Sequence, residues 1–240
     1  MKHVVLLQHS AYAEPGYVTQ YLDQHAIPWR LLRIDEGDAV PDDPASYAGL
    51  CFLGGSMSVN DPLPWIEEAL ALIWNADRLG VPIVGHCFGS QLLAKAFGAT
   101  VTRNPVKEIG WGWMEVLDSR SSGDWLGVRA GRVRSFQWHG DTFTVPEGAD
   151  LLMESEFCAH QTYVIRDLHL GMQSHLEMTP DLVRKLTIKG AAEIDREIRL
   201  RGPAAVQTAA QMLDDVDNKC AEVNALMARM YDRWRLKLRR

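Results

Sequence analysis

The sequence lacks several features that would place it in a specialised class of protein. No apolar run approaches the ~18 residues that a membrane-spanning helix needs, and residues 1–8 turn polar too quickly for a signal peptide. The four cysteines do not show the paired spacing of a zinc site or a disulfide framework; they are Cys51, Cys87, Cys158 and Cys220. We therefore expect a cytoplasmic protein without a membrane partner, in which a free thiol can serve as a catalyst.

The sequence also lacks an excess of positive charge. Its 25 lysines and arginines are outnumbered by 31 aspartates and glutamates, which gives a formal net charge of -6. Nucleic-acid-binding surfaces are basic, so we expect no nucleic acid among the partners. The chain of 240 residues, which has neither an internal repeat nor a low-complexity segment, is long enough for one large α/β domain.

Short apolar runs alternate with amphipathic segments over the first hundred residues. Strands are predicted at 3–8, 29–34, 49–53 and 81–84, and helices at 17–25, at 64–79 with Pro64 at its start, and between Gly89 and Gly98. Strands that alternate with helices form βαβ units. The predicted fold is therefore α/β, with an open, mostly parallel central sheet and helices on both faces.

The pattern changes after Gly98. Five short runs, separated by glycine, aspartate and proline, predict a β-meander added to the sheet; they are 113–117, 133–137, 151–154, 163–166 and 170–173. From Thr179, which precedes Pro180 as a helix N-cap, the chain is predicted to be helical to the end, with a break at Gly202–Pro203. We expect one domain over 1–190 and a C-terminal helical extension over 191–240.

The segment from Gly85 to Gly98 predicts a nucleophile elbow. It reads Gly-His-Cys-Phe-Gly-Ser-Gln-Leu-Leu-Ala-Lys-Ala-Phe-Gly and places Cys87 at a sharp turn between a strand and a helix. Gly85 and Gly89 fit this turn because it leaves no room for Cβ atoms beside the nucleophile. The alternative for this stretch alone is a buried cysteine in an ordinary loop.

A thiol nucleophile needs a general base, and the base needs an orienting group. Of the eight histidines, His175 is the best candidate because it follows the apolar run 170–173 and precedes Glu177 by two residues. The end of a strand projects side chains toward the rim of the sheet where the elbow is expected. Taken alone, these two residues fit a solvated surface pair equally well, and His139 beside Asp141 is a second candidate pair.

Five motifs in one order carry a resemblance to a known family. They are Leu-Gly-Gly-Ser-Met-Ser-Val-Asn-Asp at 53–61, the elbow, Lys-Glu-Ile-Gly-Trp at 107–111, Gln-Trp-His-Gly-Asp at 137–141, and Gly-Met-Gln-Ser-His-Leu-Glu at 171–177. With them, the sequence resembles class I (triad) glutamine amidotransferases, most closely the stand-alone group called GMP-synthase-like. The resemblance extends from residue 3 to about residue 190 and implies a flavodoxin-like fold.

The resemblance also implies a role for each matching residue. Cys87 would attack the side-chain amide of glutamine to form a γ-glutamyl thioester, His175 would act as the base, and Glu177 would hold the imidazole tautomer. The backbone N–H groups of Gly55 and Phe88 would form the oxyanion hole. The residues implied in substrate binding are Gln91, Trp138, His139, Gly140 and Asp141. No metal or cofactor is expected.

Two residues depart from the family pattern. Leu176 stands where proline is usual, and His86 replaces an aliphatic residue next to the nucleophile. Strand alternation points His86 away from Cys87, which favours a packing role over tuning of the thiol.

The C-terminal residues carry an apolar seam in steps of three and four. Its members are Val206, Ala209, Leu213, Val216, Cys220, Val223, Met227, Met230 and Trp234. The seam can form a homodimer or dock a synthase subunit. The favoured interpretation is an amphipathic helix lying on its own domain, because Cys, Ala and Met are poor specifiers of a helix pair.

Three functions stay open at this stage. The first is an amidotransferase that uses glutamine and passes ammonia to an acceptor on another polypeptide. The second is a γ-glutamyl hydrolase or peptidase that needs no partner. The third is a non-catalytic binding protein on the same fold, which the three triad residue types argue against.

Overall fold

The computed structural model describes residues 2–201 and 204–240, and within them the chain forms helices around one mixed sheet. The strands are β1 Val4–Gln8, β2 Trp29–Arg33, β3 Gly49–Phe52, β4 Ile83–His86, β5 Val101–Val116, β6 Gly131–Phe143, β7 Ala149–Ser155, β8 Thr162–Ile165 and β9 His169–Met172. The helices are α1 Tyr17–Gln24, α2 Pro64–Arg78, α3 Phe88–Ala96, α4 Ser122–Leu126, α5 Pro180–Lys189, α6 Ala191–Arg201, α7 Ala209–Leu213 and α8 Val216–Arg235.

One half of the sheet is parallel. The strand order is β2-β1-β3-β4-β9-β8-β7-β5-β6, and the pairs from β2 across to β9 run parallel. Every residue of β1, β3, β4 and β9 is buried, as expected for parallel strands covered on both faces. The predicted α/β fold is confirmed, and the elbow strand β4 lies in the middle of the sheet.

The other half of the sheet is antiparallel and continuous with the first. Strands β9, β8, β7, β5 and β6 pair antiparallel, as the predicted meander requires. The predicted runs 113–117 and 133–137 were too short, because β5 and β6 pair from Val101 to Val116. The register of this pair shifts between Arg103 and Glu108, in a stretch that includes a proline. The shift interrupts the alternation of buried and exposed side chains by which the first half of β5 would be predicted.

Helix α8 packs on the chain's own domain. The seam residues from Val216 onward are buried in the same core as β1, β4 and β9, with Met227 and Met230 fully buried. This packing covers the seam from Val216 onward, so the alternative of a homodimer or a docked synthase subunit would need another surface; Leu213, on α7, is partly exposed. The predicted break at Gly202–Pro203 lies outside the described residues.

Two further features bear on the sequence predictions. Thr179 caps α5 by accepting a hydrogen bond from the backbone N–H of Leu182, as predicted. Within the part of the chain that the structure describes, no helix combines the length and the apolar character that crossing a bilayer requires.

Candidate active site

The turn between β4 and α3 has the geometry of a nucleophile elbow. Cys87 has φ +48° and ψ -107°, a backbone conformation that L-residues rarely adopt, and Phe88 begins α3 directly after it. A Cβ on Gly85 would lie 2.5 Å from the carbonyl oxygen of Gly89, and one on Gly89 would overlap the backbone of Phe52. The two glycines are therefore required by the close approach of neighbouring backbone, as the sequence predicts.

His175 is held beside the elbow by the strand that pairs with β4. Met172 at the end of β9 lies opposite His86 at the end of β4, and His175 donates its backbone N–H to the carbonyl of Phe136 at 2.8 Å. Its Nδ1 lies 2.7 Å from Oε1 of Glu177. Since a carboxylate only accepts, Nδ1 carries the proton, and Nε2 is the ring nitrogen left to act on Cys87, which lines the same cavity.

The charges of this group support one another. Burial lowers the pKa of His175, but the opposing charge of Glu177 and the neighbouring Cys87 outweigh it and raise this pKa well above its usual value. Burial raises the pKa of Glu177, while His86 and His175 lower it more, so the net pKa lies far below the usual value. The site therefore favours a carboxylate next to an imidazolium, a partner that stabilises a thiolate.

His86 contacts the same carboxylate from the other side. Its Nδ1 lies 3.0 Å from Oε2 of Glu177, and its Nε2 lies 2.9 Å from the hydroxyl of Tyr231 on α8. The alternation that points His86 away from Cys87 is correct, but the packing interpretation is wrong because both ring nitrogens have polar partners. No pattern in the sequence indicates that Tyr231, which follows Met230 of the apolar seam, contacts His86.

Cys87 lines a cavity of about 710 Å³. Trp138 and His175 also line it, together with residues of α5, α6 and the loops after β1 and β3. Cys87 also lies 3.9 Å from the carbonyl oxygen of Trp138 and 3.5 Å from Nε2 of Gln173. The volume is in the range of small-molecule sites, and Cys87, which is 6% exposed, is one of the lining residues.

The two predicted oxyanion-hole residues are neighbours, and of the two Gly55 lines the cavity while Phe88 does not. A Cβ on Gly55 would lie 3.1 Å from the ring of Phe88. Phe88 is the first residue of α3, so its backbone N–H has no intrahelical acceptor.

Of the five residues predicted to bind substrate, Trp138 lines the cavity and the other four do not. The Gln91 side chain donates to Oε1 of Gln173 at 2.9 Å, and the His139 ring turns inward, with Nε2 3.0 Å from Glu108. Asp141 forms an ion pair with Arg103 at 3.2 Å, and Gly140 lies beside Lys107. The side chains of Gln91, His139 and Asp141 are therefore engaged with protein groups outside the cavity lining.

One group among the described residues has metal-ligand atoms within 4.8 Å of one another: Glu108, His139 and Cys158. The carboxylate of Glu108 already accepts hydrogen bonds from His139, Ser155 and Gln161. Burial also raises the pKa of Cys158, which disfavours the thiolate that a metal needs. These residues fit a hydrogen-bonded buried cluster better than a metal centre.

Comparison with known proteins gives the family. The model "Glutamine amidotransferase class-I" matches residues 17–190. A glutamine amidotransferase-like protein of Salmonella typhimurium is 25% identical over 183 residues, covering 74% of this chain and 77% of its own length. Gamma-glutamyl peptidase 4 of Arabidopsis thaliana is 27% identical over 160 residues, covering 65% of this chain and 64% of its own length.

The same family appears among solved structures. The crystal structure of a glutamine amido transferase from Methylobacillus flagellatus superposes with a TM-score of 0.96 at 38% sequence identity, and the match covers 100% of this chain and 96% of that one. The family model spans the elbow strand, the turn and the Gly171–Glu177 segment, which are the elements that build the site. The chain belongs to the class I glutamine amidotransferase family.

Proposed function

We propose that this chain hydrolyses the side-chain amide of glutamine through a γ-glutamyl thioester on Cys87. The observation that carries the proposal is that Cys87, His175 and Glu177 line one cavity, with the imidazole of His175 hydrogen-bonded to the carboxylate of Glu177. Each residue type suits its position: a nucleophile on a strained turn, a base beside it, and a buried carboxylate that fixes the tautomer of the base.

The reaction has two halves, formation of the thioester and its hydrolysis, and His175 carries the proton in both. The sulfur attacks the amide carbon of glutamine while His175 holds the thiol proton, and the oxyanion is stabilised by the N–H groups of Gly55 and Phe88. Collapse of this intermediate breaks the C–N bond, and His175 gives the proton to the departing ammonia. Water, activated by the same imidazole, then attacks the thioester, which releases glutamate and restores Cys87.

The other predicted residues act in holding the substrate. Trp138 forms part of the wall next to Cys87, and its indole N–H donates to Glu193 at 3.0 Å, which fixes the ring. The other four residues predicted to bind substrate hold this wall in place and so act on the substrate indirectly. They are Gln91, His139, Gly140 and Asp141. Ammonia released at Cys87 then passes to an acceptor, which in the amidotransferase version is bound to a partner subunit.

The test uses glutamine and a glutamine-like affinity label. Wild-type protein should release ammonia and glutamate in equal amounts and take up the label at Cys87, and Cys87→Ala should abolish both while retaining the thermal unfolding profile. Cys220→Ala, which removes another buried thiol, is the matched control and should label normally. Wild-type protein that does not take up the label would contradict the proposal and favour a non-catalytic binding protein. Labelling also detects an enzyme that hydrolyses glutamine only with its partner.

The size of the cavity favours a second candidate, a γ-glutamyl hydrolase or peptidase. Its lining includes Lys189, Arg196 and Arg199, which can attract a carboxylate on the amine side of a γ-glutamyl peptide, beside the carboxylates of Glu14 and Glu193. A relative is named a γ-glutamyl peptidase. Product analysis separates the two functions: this candidate predicts release of an amino acid or peptide from γ-glutamyl peptides, faster than ammonia from glutamine.

A further inference from the structure

We propose that His86 and Tyr231 are positioning residues that orient the triad carboxylate from behind, so that the C-terminal helix α8 takes part in the reaction. The inference rests on the proposed role of Cys87, His175 and Glu177. It adds a second hydrogen-bonded arm that meets the same carboxylate on its other oxygen.

The hydrogen bonds along this arm fix the orientation of the His86 ring. Glu177 is ionised and only accepts, so His86 must donate from Nδ1 to Oε2, just as His175 donates from Nδ1 to Oε1. Burial raises the pKa of Tyr231 well above its usual value, so its hydroxyl keeps its proton. That hydroxyl is hydrogen-bonded to Nε2 of His86 and keeps Nδ1 of the ring directed at Glu177.

Burial makes this arrangement costly to leave incomplete. His86 is 0% exposed, Tyr231 is 1% exposed and Glu177 is 3% exposed. A buried carboxylate with one donor has an unsatisfied oxygen and can rotate, which would move the acceptor away from His175. With donors on both oxygens, the plane of the carboxylate is set, and with it the direction of the His175 ring.

Helix α8 holds the backbone around Glu177 as well as its side chain. The amide of Asn224, two turns before Tyr231, donates to the carbonyl oxygens of Leu176 and Met178, at 2.8 and 3.0 Å. These residues flank Glu177, at the place where Leu176 replaces the usual proline. One helix therefore fixes both the chain and the carboxylate at this point, although it lies outside the residues 17–190 that the family model matches.

The experiment measures the reactivity of Cys87 toward iodoacetamide at neutral pH, with the modified peptide identified by mass spectrometry. His86→Leu removes the donor and should slow alkylation about tenfold, the effect of losing a hydrogen bond to a charged group. In His86→Asn the side-chain amide can replace Nδ1–H, and the rate should recover to within about threefold of wild type. Tyr231→Phe, which removes one atom, should slow the reaction about threefold even if His86→Leu fails to fold.

Two matched controls separate positioning from general loss of stability. His169→Leu removes another fully buried histidine that contacts a carboxylate, Asp77, and Ser122→Ala removes another buried hydroxyl, which donates to the carbonyl oxygen of Leu117. Both should leave the alkylation rate of Cys87 unchanged, even where the unfolding temperature falls. Equal slowing by the His86 variants to Leu and Asn, or slowing by the controls, would show a merely structural role and overturn the proposal.

This readout does not depend on the substrate. If glutamine is not hydrolysed but Cys87 reacts faster in the wild type than in His175→Ala, the proposed function fails while the positioning role is still decided by the variants above. If Cys87 is no more reactive in the wild type than in His175→Ala, the triad itself is absent and this inference is overturned.

Discussion

At Cys87 the backbone adopts a conformation that suits glycine, yet the position carries a side chain. A residue held at φ +48° and ψ -107° costs of the order of 1–3 kcal/mol for an L-amino acid. The chain accepts this strain because the turn presents the sulfur at the end of β4, next to His175. The functional group and the local backbone preference therefore conflict at this residue, which is typical of an active site.

This conflict predicts an unusual order of stability. Cys87→Gly should be more stable to denaturant than Cys87→Ala by about 1 kcal/mol, because glycine relieves strain that alanine retains. In the interior of a helix, glycine gives a less stable protein than alanine does. Ala94→Gly in the middle of α3 is therefore the control and should lower the unfolding free energy by about 1 kcal/mol. Equal stability of the two Cys87 variants would show that the turn is unstrained.

Glu177 predicts a dependence of stability on pH. Its pKa is lower in the folded protein than the usual 4.5, so ionised Glu177 stabilises the fold above about pH 4.5, and this stabilisation is lost as pH falls toward the folded pKa. The unfolding free energy of wild type should exceed that of Glu177→Gln by about 3 kcal/mol at neutral pH, and the difference should shrink below pH 4.5. A difference that is constant from pH 3 to 7, measured by urea unfolding, would contradict this.

At the scale of elements, the sequence predicts those helix and strand boundaries that a local pattern of residues determines. The helix that starts at Pro64 and the helix that ends before Gly98 are both present, because a fixed φ and a missing Cβ act at a single residue. The first half of β5 was not predicted, because its identity comes from pairing with β6 across a register shift. Pairing of this kind depends on residues that are distant in the sequence.

The same distinction applies to the candidate site. Cys87, His175 and Glu177 are predicted from the sequence because the elbow and the strand end are local patterns and because they resemble family motifs. The sequence favours a packing role for His86 because its hydrogen-bond partners are distant in the chain. Glu177 lies 91 residues away and Tyr231 lies 145 residues away. The apolar seam correctly predicts which face of α8 packs on the core. Apolar periodicity does not predict that the hydroxyl of Tyr231 on this helix reaches His86.

At the scale of the molecule, the site lies where the two halves of the sheet meet. Strand β4 leads into the elbow at Cys87, and β9, which His175 and Glu177 follow in the chain, pairs parallel with β4 and antiparallel with β8. The parallel half therefore supplies the proposed nucleophile, and the switch in strand direction brings the antiparallel half and α8 to the same edge. Open α/β sheets place their ligands at such carboxyl-terminal edges.

The outer part of the cavity gives the last prediction, which separates small from extended substrates. If γ-glutamyl peptides are used, the double variant Lys189→Met, Arg196→Met should raise KM for γ-glutamylglutamate about two- to fivefold, since exposed charge pairs contribute only about 0.2–1 kcal/mol. The difference should fade in high salt, which screens such charges, and KM for glutamine should not change because glutamine ends near Cys87. Arg30→Met, on the edge strand β2, is the control. A KM for glutamine that rises as much as that for the dipeptide would show that both cations contact the glutamyl moiety itself.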